Sequence, residues 1–156
     1  MKAVLCHAFG PPETLRLDEV PAPACGAGEV RVAVRYVGIN FPDCLMIEGS
    51  YQVRPPFPFS PGGELSGEVL EVGADVTGVG VGDRVIAGSG HGGLAEQVVL
   101  PARAVRPVPE HMPMEVAAAW STTYGTSYHA LKQRAALQPG ETLLVLGAAG
   151  GVGLAA

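Results

Sequence analysis

The chain has 156 residues, of which 47% are hydrophobic and 16% charged, and its formal net charge is −5. This balance excludes intrinsic disorder, which requires low hydrophobicity and high net charge. Without a cluster of Lys and Arg the chain is not expected to bind nucleic acid, and no run of 18 apolar residues predicts a membrane span. The N-terminus lacks the apolar segment of a signal peptide, so we expect a cytoplasmic protein.

The cysteine pattern argues against both a disulfide framework and a structural zinc site. The chain has three cysteines, Cys6, Cys25 and Cys44, which is an odd number, and no two of them form a CxxC pair. We therefore expect three reduced thiols, mostly buried.

The first two thirds of the chain predict a sheet of short strands. Residues 29–40 alternate, with one face formed by Val30, Val32, Val34 and Tyr36. Strands are predicted at 2–6, 15–20, 29–40, 64–73, 83–88 and 94–100. Their close spacing, with turn residues between them, indicates a small barrel or sandwich. The segment 41–61 carries five prolines and is predicted to be a long irregular loop, of a kind that is often functional.

The pattern changes after residue 113. The Ala-rich stretch 114–137 predicts two helices broken near Gly125, and Gln138-Pro139-Gly140 ends them. The apolar run 141–148 is typical of a parallel strand buried on both faces. Such a strand needs neighbours that pair with its backbone and cover its faces. We therefore expect the chain to be part of a longer protein.

The glycine-rich turn that follows this run predicts a dinucleotide site. Ala148-Ala149-Gly150-Gly151-Val152-Gly153 joins the predicted strand to a predicted helix. Gly150 would allow the backbone to approach a pyrophosphate, and Gly153 would allow close packing of helix and strand. The predicted cofactor-binding residues here are Ala149, Gly150, Gly151, Val152 and Gly153. The alternative is a glycine-rich turn with no ligand.

Several motifs together resemble the medium-chain dehydrogenase/reductase family. They are VGINFPD (37–43), PGGELSGEVLEVG (61–73), VGDRV (81–85), GGLAEQVVLPA (92–102), TTYGTSYHAL (122–131) and GAAGGVG (147–153). The resemblance implies a mainly β GroES-like barrel followed by the start of an α/β Rossmann domain. It places a substrate-side domain at 1–120, and a linker helix with the first strand-turn-helix of the cofactor domain at 121–156.

The same alignment of motifs predicts a protein without zinc. In the zinc alcohol dehydrogenases of this family, the catalytic ligands match Asn40, Gly63 and a position near Thr122 here, and Glu64 is retained. Neither an amide, a glycine nor a hydroxyl is a ligand that zinc prefers. The segment that would hold four structural cysteines, between Arg84 and Gly93, contains none.

With the family motifs present and the zinc ligands replaced, the chain resembles the zinc-free quinone oxidoreductase and enoyl reductase branch of the family. This implies an enzyme that transfers hydride from NADPH to a quinone or another α,β-unsaturated carbonyl compound. Without a metal, hydrogen-bond donors must stabilise the developing anion. The resemblance implies Tyr51 as the proton or hydrogen-bond donor, although Gln52 stands where related enzymes have proline. Asn40 is the second predicted catalytic residue, and Thr126 is expected near the nicotinamide.

Other functions stay open at this point. The chain could belong to an enoyl-CoA or enoyl-ACP reductase, or to a relative that binds NADPH without turnover. The resemblance favours NADPH over NADH. The residue that separates the two cofactors is expected about twenty positions after the glycine-rich turn, beyond residue 156, so the chain itself does not decide between them. We expect the 156 residues alone to be inactive, and a homodimer is a further expectation.

Overall fold

The computed structural model describes all 156 residues, and seven strands and four α-helices organise them. The strands are β1 (Lys2–Leu5), β2 (Arg16–Glu19), β3 (Glu29–Gly38), β4 (Glu64–Val72), β5 (Arg84–Gly88), β6 (Gln97–Pro101) and β7 (Val105–Pro107). The helices are α1 (Phe41–Ile47), α2 (Met114–Ala118), α3 (Ser121–Tyr128) and α4 (Gly151–Ala155). A π-helical segment, His129–Arg134, continues α3.

An antiparallel sheet of five strands, in the order β6-β3-β4-β5-β7, forms the main body. Its core contains the buried residues Val30, Val32, Leu65, Val69, Val85, Ala87, Val98, Leu100 and Val105. The ribbon β1-β2 is joined to the main body by the isolated bridges Ala3–Ala95 and Cys6–Phe59, whose partners lie in the segments that precede β6 and β4. All six strands predicted in the first two thirds of the chain are present, which confirms the mainly β fold. Only β7, three residues long, was not predicted.

The predicted alternation of β3 holds in its first half and then fails. Val30 and Val32 are fully buried, but Tyr36 is 47% exposed. Pairing with β4 shifts register between Val34 and Tyr36, which is the signature of a bulge. Because a shift of one residue sends every later side chain to the other face, Tyr36 points away from the core.

The predicted irregular loop at 41–61 contains a helix, which corrects the prediction. Pro42 lies in the first turn of α1, where its missing N–H costs nothing. The side chain of Asp43 accepts a hydrogen bond from the backbone N–H of Asn40 at 2.8 Å, which caps the helix start. Asn40 and Asp43, three positions apart with Pro42 between them, are thus a signal for the start of a helix. The high proline content of the segment led instead to the prediction of a loop.

The C-terminal part differs from its prediction in two respects. The helices are separated at Ala119 and Trp120, whereas Gly125 lies inside α3. The run 141–148 forms no strand, and Leu144 and Leu146 are 80% and 84% exposed. The physical reason is that no neighbouring parallel strand exists within these residues to pair with its backbone. The domain boundary at residue 120 stays a prediction.

None of the helices combines the length and apolar character that crossing a bilayer would need.

Candidate active site

A cavity of about 240 Å³ lies where β3 ends and β4 begins. Its lining residues are Asn40, Pro42, Asp43, Met46, Tyr51, Val53, Gly63, Gly90 and Thr122. The two predicted catalytic residues, Asn40 and Tyr51, therefore share one cavity. So do the three positions that match zinc ligands in the metal-dependent branch, Asn40, Gly63 and Thr122.

A buried carboxylate lies beside this cavity. Glu64 is 2% exposed, and its Oε1 accepts a hydrogen bond from Nδ2 of Asn40 at 2.8 Å. Its Oε2 accepts one from the backbone N–H of Thr122, also at 2.8 Å. Both oxygens are thus satisfied, as a buried charge requires, and the negative charge meets the positive end of α3.

Gly38 makes room for that carboxylate. A Cβ at this position would lie 2.7 Å from Oε1 of Glu64 and would also overlap the backbone carbonyl of Ala118. Any larger residue would displace either Glu64 or α2. Sequence reasoning overlooked Gly38, because nothing local marks a glycine whose role is to admit a side chain from the neighbouring strand.

A second buried carboxylate fixes another wall of the cavity. Asp43 is buried, and besides the N–H of Asn40 it accepts the backbone N–H of Gly62 at 3.1 Å. Gly62 adopts φ +93°, a conformation that favours glycine. Asp43 therefore joins α1 to the loop that leads into β4.

Tyr51 is held through its ring and its backbone. The ring packs against the small apolar cluster of Cys6, Met46, Ile47 and Phe59. The backbone N–H donates to the carbonyl of Leu45 at 3.1 Å. Its hydroxyl has no hydrogen-bond partner within the chain, so it is available to a ligand in the cavity.

The predicted cofactor residues lie apart from the cavity. Thr126 is exposed on α3, one helical turn after Thr122. Gly150 caps α4, and the hydroxyl of Ser127 donates to the carbonyl of Val152 at 2.6 Å, joining α3 to α4. A Cβ at Gly153 would overlap the carbonyl of Gly147, so this glycine lets α4 approach the turn that precedes it. The strand against which the helix was predicted to pack is not formed.

The turn itself fits a phosphate-bearing cofactor. Gly150 and Gly151 are both exposed and carry no side chain that would keep a pyrophosphate from the backbone. The residues that would hold the cofactor here are therefore those of the turn from Ala149 to Gly153.

The part of the chain that contains the cavity matches a known protein family. Residues 26–110 match the alcohol dehydrogenase GroES-like domain. The chain belongs to this family. The match covers β3 to β7 and the cavity residues from Asn40 to Gly90, and it lies inside the predicted substrate-side domain.

Several relatives of this GroES-like chain are named quinone oxidoreductase-like proteins. It is 47% identical over 155 residues to quinone oxidoreductase-like protein 2 homolog of Nematostella vectensis, covering 99% of this chain and 42% of that protein. Among solved structures, it is similar to the quinone oxidoreductase of Thermus thermophilus, at 40% identity and a TM-score of 0.86, covering 99% of this chain and 48% of that one. The human synaptic vesicle membrane protein VAT-1 homolog-like protein gives a TM-score of 0.96 at 37% identity, covering 99% and 50%. The chain thus spans about half the length of these medium-chain proteins or less.

The cavity of this GroES-like domain does not fit a zinc ion. The three positions that match zinc ligands supply an amide, a glycine and a threonine, whereas zinc prefers Cys, His or carboxylate. The nearby carboxylate of Glu64 already accepts hydrogen bonds at both oxygens. No three His, Cys, Asp or Glu side chains lie close enough together to hold a metal.

Proposed function

We propose that the complete protein to which this chain belongs is an NADPH-dependent reductase of quinones or other α,β-unsaturated carbonyl compounds. The observation that carries the proposal is the small cavity that holds Asn40 and Thr122 together with the unpartnered hydroxyl of Tyr51. Quinone oxidoreductase-like relatives support the same reaction class.

In this proposal the chain binds and orients the acceptor. The hydroxyl of Tyr51 donates a hydrogen bond to the acceptor oxygen, where negative charge develops as the carbonyl is reduced. Asn40 forms a wall of the same cavity, and its amide nitrogen is held by Glu64. The apolar side chains of Met46 and Val53 would contact the carbon skeleton of the acceptor.

NADPH would supply the hydride, and this chain would contribute one part of its binding site. The turn from Ala149 to Gly153 would hold the pyrophosphate at its exposed backbone, and Thr126 would contact the nicotinamide end. Support comes from the Thermus thermophilus quinone oxidoreductase, which was solved in complex with NADPH.

The test measures whether the complete protein oxidises NADPH when an acceptor is present. The reaction is monitored as the decrease in the near-ultraviolet absorbance of NADPH. The acceptors are p-benzoquinone, a short-chain enone and an enoyl-CoA, and NADH serves as the comparison cofactor. We expect oxidation with the quinone or the enone, and a lower kcat/KM with NADH. Turnover with the enoyl-CoA alone would favour the enoyl-thioester reductase. Saturable NADPH binding without oxidation of any acceptor would contradict the proposal.

Zinc independence is part of the proposal and has its own measurement. Elemental analysis of the active protein should find zinc far below one equivalent, and dialysis against a chelator should leave the activity unchanged. One equivalent of zinc that is lost together with activity would contradict it.

A further inference from the structure

One hydrogen bond joins α3 to the sheet. The backbone N–H of Thr122, in the first turn of α3, donates to Oε2 of Glu64 on β4. No other hydrogen bond joins α3 to a strand, whereas α2 has the bond from the hydroxyl of Ser66 to the carbonyl of Met114. Glu64 is therefore the hydrogen-bonding link between the sheet and α3, whose first turn borders the cavity at Thr122.

The other oxygen of this carboxylate faces the opposite wall. Oε1 accepts from Nδ2 of Asn40, at the junction of β3 and α1. A shift of either wall would leave one oxygen of a nearly inaccessible carboxylate without a donor, which is costly in a buried site. Gly38 leaves no spare space around the carboxylate, since a Cβ there would already be 2.8 Å from Cγ of Glu64. The two walls are thus held at a fixed separation.

We propose that Glu64 is a positioning residue, which sets the distance between the cavity wall at Asn40 and the helix that carries Thr122 and Thr126. This inference rests on the proposed function, in which α3 borders the nicotinamide and the cavity holds the acceptor. Hydride transfer requires the donor carbon of the nicotinamide and the accepting atom of the substrate to be almost in contact. A less firmly held α3 therefore slows the transfer, while most of the contacts that bind the two molecules stay in place.

The experiment uses the complete protein and the substitution Glu64→Gln, which keeps the size of the side chain. The amide retains one acceptor oxygen for the backbone N–H of Thr122, and its NH₂ group then faces Nδ2 of Asn40, another donor. To accept from that NH₂ group the Asn40 amide must turn over, and it then loses its contact with the carbonyl of Gly38. The matched control is Glu68→Gln on the same strand, whose carboxylate is exposed and pairs with Arg35 at 3.4 Å. The readouts are kcat, KM for each substrate, the kinetic isotope effect with NADPH deuterated at the transferring carbon, and the melting temperature.

We expect E64Q to lower kcat by about 10- to 100-fold, with a larger isotope effect and with both KM values within about 3-fold of the parent. E68Q should match the parent in every readout. A lower melting temperature with unchanged kcat and isotope effect would show a purely structural role and overturn the inference. A rise in KM that accounts for the whole loss would overturn it as well, because Glu64 would then act in binding.

A second pair of variants covers the case in which E64Q does not fold. Thr122→Pro removes the N–H donor in the first helical turn, where proline is tolerated, and Thr122→Ala removes only the side chain. T122P should show the lower kcat and larger isotope effect relative to T122A, and equal values for the two would overturn the inference.

If the parent protein does not oxidise NADPH with any acceptor, the proposed function fails and this inference fails with it. Turnover in E64Q equal to that of the parent would overturn this inference and leave the proposed function standing.

Discussion

The carboxylate of Asp43 accepts the backbone N–H of Gly62 through Oδ1 at 3.1 Å, while its Oδ2 accepts the N–H of Asn40. One side chain thus caps α1 and ties it to the loop before β4. Together with Glu64, it gives the cavity a frame of two buried carboxylates, each accepting from donors in separate segments of the chain.

Replacing Asp43 by Asn should destabilise the protein. An amide has one acceptor oxygen and an NH₂ group, so one of the two backbone N–H groups would face another donor. We expect a loss of about 1–3 kcal/mol in the free energy of unfolding, measured by urea denaturation. Asp83→Asn is the control, because the exposed Asp83 accepts from Gly80 through a single oxygen, which an amide can replace. Equal stabilities for D43N and D83N would show that the two-donor arrangement is not formed.

Gly38→Ala should perturb both folding and the site. The added Cβ meets Glu64 and the carbonyl of Ala118, so the strand or α2 must move. We expect a loss of about 1–3 kcal/mol or more, measured in the same way. The control is Gly88→Ala on β5, whose glycine pairs with Glu64 in the ladder and has open space around it. If both variants are as stable as the parent, the close approach of Gly38 to Glu64 is wrong.

Cys6 should react with iodoacetamide far more slowly than the other two thiols. Burial raises the pKa of the Cys6 thiol above its ordinary value, against a smaller opposing effect of its hydrogen bond to Ala8, and the residue is only 1% exposed. At mildly alkaline pH it is therefore a neutral and inaccessible thiol, whereas the thiolate is the reactive form. Mass spectrometry of the native protein after timed labelling should find Cys25 and Cys44 modified first. Early modification of Cys6 would contradict the packing of its cluster with Phe59.

Much of the fold follows from patterns within short windows of sequence. Alternating valines predicted β3, and turn residues separated the other strands. Two of the failures are non-local. The bulge that exposes Tyr36 depends on pairing with β4, and residues 141–148 form no strand because no parallel strand among the 156 residues pairs with them. The cap of α1 could have been found from Asn40 and Asp43, which are three positions apart.

The sequence could name candidate residues for the cavity but not the contacts between them. The family motifs pointed to Asn40 and Tyr51, and the structure places both at one cavity. The partner of Glu64 on α3 is 58 positions away, at Thr122, and the donor is a backbone N–H that no residue type reveals. Roles that depend on space, such as that of Gly38, likewise need the packed structure.

The most direct test of the proposed chemistry is Tyr51→Phe in the complete protein, with Tyr36→Phe as the matched control on the exposed face of β3. We expect Y51F to lower kcat with the quinone or enone acceptor by about 100-fold, as for loss of one donor to a developing anion. The dissociation constant for NADPH, from fluorescence titration, should stay close to that of the parent, and Y36F should match the parent throughout. Unchanged kcat in Y51F would contradict the claim that the acceptor is reduced in this cavity.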